Sequence, residues 1–316
     1  MKERLLNYIV CPECKGQLVL KNTRYTNGEI IEGSLACENC KAEYPIRDYI
    51  PRFVKTDSYV NNFSLQWSKY RETQLDSVSG LNISEKIFYE RTNLSIDELK
   101  GKVVLDAGCG IGRYTEITRR NADYVIAIDL SYSVDNAFYN VGYYANVDIV
   151  QADIMKLPFK DSTFDVIFSL GVLHHTENTK RAFDSLCHFL KKNGILAIWV
   201  YSNEGLIQKI YNFRSYIYRA ISTRLSETLL YKLCRYVDAF YSLTKIPVLW
   251  FIFMAVIPLS RMPDKEWRIL DTFDWYSPKY QHKHSYREVT KWFQDQRMID
   301  IKKMPYPIAI RGKRCF

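Results

Sequence analysis

The middle of the chain alternates between short apolar runs and stretches with apolar residues every three or four positions. VVL (103–105), YVIAIDL (124–130), VDIVQAD (147–153), FDVIFSLGVLHHT (164–176) and GILAIWVYS (194–202) read as five buried strands. RYTEITRRN after the first and TKRAFDSLCHFLKK before the fifth read as helices, the latter closed by Asn193-Gly194. The closing segment SYREVTKWFQDQRMIDIKKMPYPIAIRGKR reads as helix, strand, turn, strand. Strands joined by helices predict an α/β fold with a doubly wound sheet, ending in an antiparallel edge hairpin.

Two regions depart from this rhythm. LVLKNTRYTNGEIIEGSLAC, near the N-terminus, holds two β-like runs with Asn27-Gly28 as a turn signal. Residues 203–283 interrupt the fold after the fifth strand, where a minimal domain needs only a short helix, and predict a helical insertion. The insertion is basic and aromatic in YNFRSYIYRA and YKLCRYVDAFYSLTK, then runs for fifteen uncharged residues, IPVLWFIFMAVIPLS (246–260). As a helix that run spans about 22 Å, short of the ~30 Å hydrocarbon core, and Pro247 and Pro258 shorten it further. It is therefore read as an apolar lid over an active site, with contact at a membrane surface as the alternative.

The cysteines add a metal site. Cys11-Pro-Glu-Cys14 and Cys37-Glu-Asn-Cys40 are paired C-x-x-C knuckles, and two such pairs complete a tetrahedron of thiolates around structural zinc. The N-terminus MKERLLNYIVCPEC lacks the pattern of a secretory signal, so a reducing, cytoplasmic compartment is expected, where paired thiols favour metal over disulfides. A ribbon this small buries little core, so the metal is expected to supply most of its folding energy. CPECKGQL and LACENCKAEYPIRDYIPRFV resemble the small zinc-ribbon family that activates tRNA and protein methyltransferases. The likeness covers about residues 7–54, with Tyr49 standing where that family usually has glycine.

The glycine loop points to a cofactor. In Asp106-Ala-Gly108-Cys109-Gly110-Ile-Gly112-Arg113 a dinucleotide site would want its third glycine at 113. The pattern resembles instead the first motif of Rossmann-like methyltransferases that use S-adenosylmethionine. That resemblance implies cofactor contacts from Asp106, Gly108, Cys109, Gly110 and Arg113. It implies ribose hydroxyls on Asp129 beside Leu130, the adenine amino group on Asp153 beside Ile154, and further contact from Leu170. Asp129 lies 21 residues beyond Gly108, the distance at which a ribose-binding acid is expected. His175, His284 and Tyr201 are the candidates for a base at the acceptor, and His174 is read as a structural turn residue. No Asn-Pro-Pro-Tyr or Asp-Pro-Pro-Tyr follows the fourth strand, which argues against transfer to an adenine amino group.

The expected organisation is a zinc ribbon at 1–55, a linker and helical flap at 56–100, and a methyltransferase domain at 101–316. Gln66, Trp67 and Tyr70 are candidates for the flap. NNFSLQWSKYRETQLDSVSG and FDWYSPKYQHKHSYREVTKWF are similar to an uncharacterised group of bacterial methyltransferases associated with surface-polysaccharide clusters. The expected acceptor is a small molecule or glycan, such as a lipid-linked or phosphorylated saccharide, met in the cytoplasm or at the inner membrane surface. RNA is the alternative: the formal charge is +9, and rRNA guanine-N1 methyltransferases also join an N-terminal zinc site to this fold. A long apolar insert is unlike an RNA-binding surface, which is basic and polar. A third reading is a binding protein that keeps the fold without activity.

Overall fold

A computed structural model describes residues 1–54, 72–246, 248–249 and 259–315. Gln66, Trp67 and Tyr70 lie outside the described residues, as does most of the uncharged run at 246–260. The described chain divides into two units, Met1–Tyr201 with His284–Phe316, and Ser202–Lys283.

In the first unit, β1 (Leu18–Thr26), β2 (Glu29–Cys37), β3 (Glu43–Arg47) and β4 (Ile50–Pro51) form an antiparallel meander. Asn27 and Gly28 make its first turn, both with positive φ, as that dipeptide favours. Tyr49 has φ +67°, the left-handed conformation that normally selects glycine, and its ring stacks on Phe138 at 4.9 Å.

The larger sheet comprises β5 (Val103–Ala107), β6 (Tyr124–Asp129), β7 (Val147–Gln151), β8 (Phe164–Leu170), β9 (Leu190–Trp199), β10 (Met298–Lys303) and β11 (Ala309–Arg314). Its order is β10-β11-β9-β8-β5-β6-β7; β5 to β9 run parallel, and β11 is antiparallel to β9 and β10. Residues such as Val104, Val125, Ile126 and Ile167 are fully buried, as expected for a sheet covered on both faces. The covering helices include α1 (Ile83–Thr92), α2 (Arg113–Thr118) and α3 (Thr179–Cys187). The expected doubly wound sheet with an antiparallel edge hairpin is present.

One boundary differs. The helix expected to run to Asn193-Gly194 stops at Cys187, and β9 has begun by Leu190. Asn193 (φ +61°) sits inside the strand, where the register slips between Phe164↔Leu190 and Val166↔Ile195. The Asn-Gly signal is therefore a bulge rather than a helix stop; Lys191 reaches across it to Asp165 at 2.8 Å.

The ribbon does not fold around a core of its own. Met1, Leu5, Ile9, Leu35 and Ile46 belong to the same buried cluster as Tyr124, Ile126 and Leu196 of the large sheet and Phe159 between β7 and β8. Ile9 bridges Phe159, and the Lys2 amide donates to Asp148 at 3.0 Å. Arg52 makes a parallel bridge with Gln151 of β7, donates to the Gln151 side chain at 3.0 Å, and pairs with Asp135 at 2.5 Å. Apolar burial against the sheet therefore adds to whatever folding energy a metal supplies to the ribbon.

The second unit is helical: α4 (Leu206–Ser222), α5 (Glu227–Asp238) and α6 (Lys265–Tyr276). Ser226 caps α5 and Asp264 caps α6. Its small core joins Leu230, Cys234, Ile269 and Phe273. Arg268 and Asp238, each about 5% exposed or less, pair at 2.6 Å. No helix among the described residues is long and apolar enough to cross a membrane.

α7 (Tyr286–Asp295) begins the return to the first unit. The His284 amide donates to the Tyr201 carbonyl at 2.8 Å, so the excursion leaves and re-enters the sheet unit at neighbouring points.

Candidate functional site

β5, β6, β7, β8 and β9 present their carboxyl ends along one side of the sheet, where ligands of such folds gather. The chain turns from β5 into α2 through Gly108, Gly110 and Gly112, with φ of +94°, +53° and +87°. At Gly108 a Cβ would lie 2.4 Å from the Val172 side chain, so only glycine fits. At Gly110 a Cβ would meet nothing within 4 Å, so the backbone there borders open space.

Asp129, at the end of β6, holds this loop. Its carboxylate accepts the Gly110 N–H at 3.0 Å, the Ser131 N–H at 2.9 Å and the Ser131 hydroxyl at 2.7 Å. A carboxylate has about four lone-pair sites, so acceptor capacity remains for a ligand hydroxyl, and the side chain is partly exposed. Leu130, beside it, is partly exposed, and its carbonyl accepts from Gln151 at 3.1 Å. Asp153 sits two residues past β7 and caps a short 3-10 turn by accepting the Met155 N–H at 2.8 Å. Ile154 and Leu170 are largely buried beside these strand ends.

Asp106, Cys109 and Arg113 make contacts within the chain. Asp106 is 2% exposed and accepts the Thr115 hydroxyl at 2.7 Å. Burial pushes its carboxyl up to about 7, against the lowering effect of that hydrogen bond and with the Asp129 charge adding to the rise. Asp106 thus supports the loop from beneath. Cys109 is buried, and its thiol is raised well above the usual range by burial. The Arg113 Nε donates to Ser84 of α1 at 2.8 Å, tying α2 to α1. The Asp106, Cys109 and Arg113 side chains are thus engaged within the fold.

Beyond β8 and β9 lies an aromatic group. The His174 ring is fully buried and stacks on Tyr201 at 3.9 Å, and His175 lies 4.1 Å from His174 and 5.6 Å from Tyr201. His175 and Tyr201 are both partly exposed. Trp199 stands 5.6 Å from Tyr201, and the Arg91 guanidinium lies 3.6 Å over the Trp199 ring. His284 does not join them as a free base. Its Nδ1 meets Glu288 at 2.9 Å and its Nε2 meets Thr179 at 3.1 Å, so it clamps α7 to the start of α3. That corrects its reading as an acceptor base.

The sequence reading missed Thr115, Ser131, Val172 and the Arg91–Trp199 pair. Ser131 carries a local signal, since an acid followed two residues later by serine is a common turn pairing. Arg91 carries none, because only the fold brings it to Trp199.

At the other site, the Sγ atoms of Cys11, Cys14, Cys37 and Cys40 all lie within 4.8 Å of one another. Cys11–Cys40 is 3.6 Å and Cys14–Cys37 is 3.4 Å. Zinc–sulfur bonds of ~2.3 Å place thiolates about 3.8 Å apart in a tetrahedron, so the donor set fits that ion. The Tyr44 hydroxyl lies 3.3 Å from the Cys11 sulfur, an outer contact that orients the ligand.

Known proteins resemble both regions of the chain. Residues 105–198 match the family model described as "Methyltransferase domain", and residues 2–48 the model described as "Trm112p-like protein". An uncharacterized protein of Methanocaldococcus jannaschii is 28% identical over 149 residues, 46% of this chain and 62% of that protein. Phosphoethanolamine N-methyltransferase of Triticum aestivum is 30% identical over 175 residues, 46% of this chain and 34% of that protein. The Arabidopsis thaliana tRNA (carboxymethyluridine(34)-5-O)-methyltransferase is 33% identical over 107 residues, 33% of this chain and 25% of that protein. The chain thus spans less than two thirds of the length of each of these three relatives. A solved S-adenosylmethionine-dependent methyltransferase of Aquifex aeolicus aligns with TM-score 0.43 at 17% identity, covering 78% of this chain and 96% of that one. The segments that match these two family models lie in one polypeptide and contribute to one buried core.

Proposed function

We propose that this chain is an S-adenosylmethionine-dependent methyltransferase acting on a small-molecule or glycan acceptor, with structural zinc held by Cys11, Cys14, Cys37 and Cys40. The observation that carries the cofactor reading is the lock between the glycine loop and Asp129: the Gly110 N–H bonds the carboxylate beside open space. The cofactor, when bound, supplies a methyl group already activated on a sulfonium. The remaining work falls to the chain's own residues. Asp129 takes ribose hydroxyls with its spare acceptor capacity, and Asp153, beside Ile154, takes the adenine amino group. Gly108 and Gly110 allow close backbone approach. His175 and Tyr201, partly exposed beyond β8 and β9, take a proton from an oxygen or nitrogen acceptor in this reading, which their exposure supports.

Acceptor choice is assigned to the Ser202–Lys283 unit. Because Tyr201 and His284 are hydrogen-bonded neighbours, this unit can be replaced by a short glycine linker. Labelled cofactor would then be offered with fractionated cell extract to the full chain and to the excised form. The proposal expects methyl transfer to a low-molecular-weight or lipid-extractable fraction by the full chain only, with cofactor affinity kept within about tenfold. Failure of both proteins to bind S-adenosylmethionine would sink the cofactor reading. Equal transfer by both would sink the assignment to the insertion. RNA is the second reading, supported by the Trm112p-like segment and the +9 charge, and label appearing in the RNA fraction would establish it instead.

A further inference from the structure

Among the described residues, the helix α4 is built inside out. The side chains it turns toward its own unit are polar or cationic, apart from the Tyr218 ring, which meets Tyr276. Ser215 bonds Gln281, Arg219 donates to the carbonyls of Pro278 and Lys279, and Ser222 donates to the Tyr276 carbonyl. The opposite face carries Leu206, Ile210, Phe213, Ile217 and Ile221, at successive spacings of four, three, four and four. That spacing places them in one stripe along the helix. All five face solvent, from 48% exposed at Ile217 to 76% at Leu206. α5 buries Leu230 and Cys234 in the core yet also leaves an apolar stripe outward: Leu229, Leu233 and Tyr236, with Phe240 just past its end, stay 37–68% exposed. An amphipathic helix normally buries its apolar stripe against its own domain. Two that turn such stripes outward mark an interaction surface.

Charge selects the occupant. Residues 206–240 hold six basic side chains (Lys209, Arg214, Arg219, Arg224, Lys232 and Arg235) against two acidic ones, Glu227 and Asp238. Asp238 is already buried in its pair with Arg268. Lys209, Arg224, Lys232 and Arg235 are exposed beside or at the end of the stripes. Pairing this face with a second copy would bring these like charges together, whereas an anionic lipid surface neutralises them while accepting the apolar stripes. We propose that α4 and α5 lie on the surface of an anionic membrane, inserting their outward apolar stripes among the lipids while Lys209, Arg224, Lys232 and Arg235 meet the headgroups. The element lies in the interface and does not span it: α4 has seventeen residues, about 25 Å of helix, with charges along it. The assignment rests on α4 and α5 alone and needs nothing from the uncharged run at 246–260.

The test is flotation of the full-length protein with vesicles of phosphatidylcholine alone or of phosphatidylcholine with phosphatidylglycerol. The wild type should float with the anionic vesicles and hardly with the neutral ones, and added salt should weaken it. The triple variant I210D/F213D/I217D should float at least about tenfold less. Circular dichroism and S-adenosylmethionine titration should show that it remains folded, since these side chains face solvent. The variant K209E/K232E/R235E should lose the preference for anionic vesicles. Absence of flotation by the wild type would overturn the proposal. So would flotation untouched by both variants, which would place the contact elsewhere in the chain. A wild-type dimer in light scattering that becomes monomeric in I210D/F213D/I217D, without lipid binding, would assign the stripes to a second copy.

Discussion

Replacing Gly108 by alanine tests whether the tightness of the glycine loop is a matter of backbone or of contact. Its φ of +94° is costly for any residue with a Cβ, by roughly 1–2 kcal/mol. The added Cβ would also fall 2.4 and 2.5 Å from the two γ-carbons of Val172 and 2.8 Å from its Cβ. Val172 is β-branched and has little rotamer freedom with which to yield, and overpacking of this kind costs about 1–3 kcal/mol. Gly108→Ala should therefore destabilise by about 2–5 kcal/mol. Gly110→Ala provides the control: φ is +53°, inside the left-handed well, and the Cβ meets nothing within 4 Å, so its cost should be about 1 kcal/mol. Val172→Ala removes the two closest atoms and leaves the third. In the double variant Gly108→Ala/Val172→Ala the loss should fall short of the sum of the singles by about 1–2 kcal/mol. Urea unfolding followed by tryptophan fluorescence measures all four proteins. Equal costs at Gly108 and Gly110, or an additive double variant, would refute the contact argument.

Three further outcomes are expected. Asp129→Ala should weaken S-adenosylmethionine binding by about 1.5–3 kcal/mol in calorimetry, because the lock on the Gly110 N–H is lost together with the ribose acceptor; unchanged affinity would remove Asp129 from the site. Metal analysis should find one zinc per chain, and Cys37→Ser should lower the stability of the large sheet as well as the ribbon, by more than about 3 kcal/mol in one transition, whereas separate transitions would contradict the shared core. Asp106, raised to about 7, keeps its proton in the folded state over a range where the unfolded chain has released it. Stability attributable to it should fall as pH rises from about 4 to about 7 and level off above. Asp106→Asn should flatten that slope in denaturation curves between pH 4 and 8, and a slope identical to wild type would show that the raised carboxyl is not its source.

The sheet was legible because β5 to β9 are covered on both faces and so appear as unbroken apolar runs between glycine turns. The cysteine cluster was legible because its chemistry fixes its spacing along the chain. Other features depend on contacts that spacing does not encode. Asn193-Gly194 has the composition of a helix stop, yet pairing with β8 draws the backbone back into the sheet at Leu190, and the turn becomes a bulge. His284 has the chemistry of a base, and only the arrival of Thr179 and Glu288 reveals a clamp. The departure at Tyr49 was visible in the sequence, but its accommodation was not: the ring finds Phe138, 89 positions along the chain. The outward stripes of α4 were hidden too, since periodicity shows that a face is apolar and not which way it points.

The pairing of Arg52 and Phe53 with Gln151 has a consequence for handling the protein. β7 ends the large sheet, and an end strand offers unpaired amides and carbonyls to any extended chain that meets it. Here the Phe53 amide donates to the Gln151 carbonyl at 2.8 Å, and Arg52 covers the neighbouring side chain. The N-terminal segment works as a stopper carried on the same polypeptide, always at hand because it cannot diffuse away. A truncation beginning near residue 72 would leave the strand uncovered and the sheet's flank sticky, and aggregation of such a fragment would say nothing about whether the large sheet can fold.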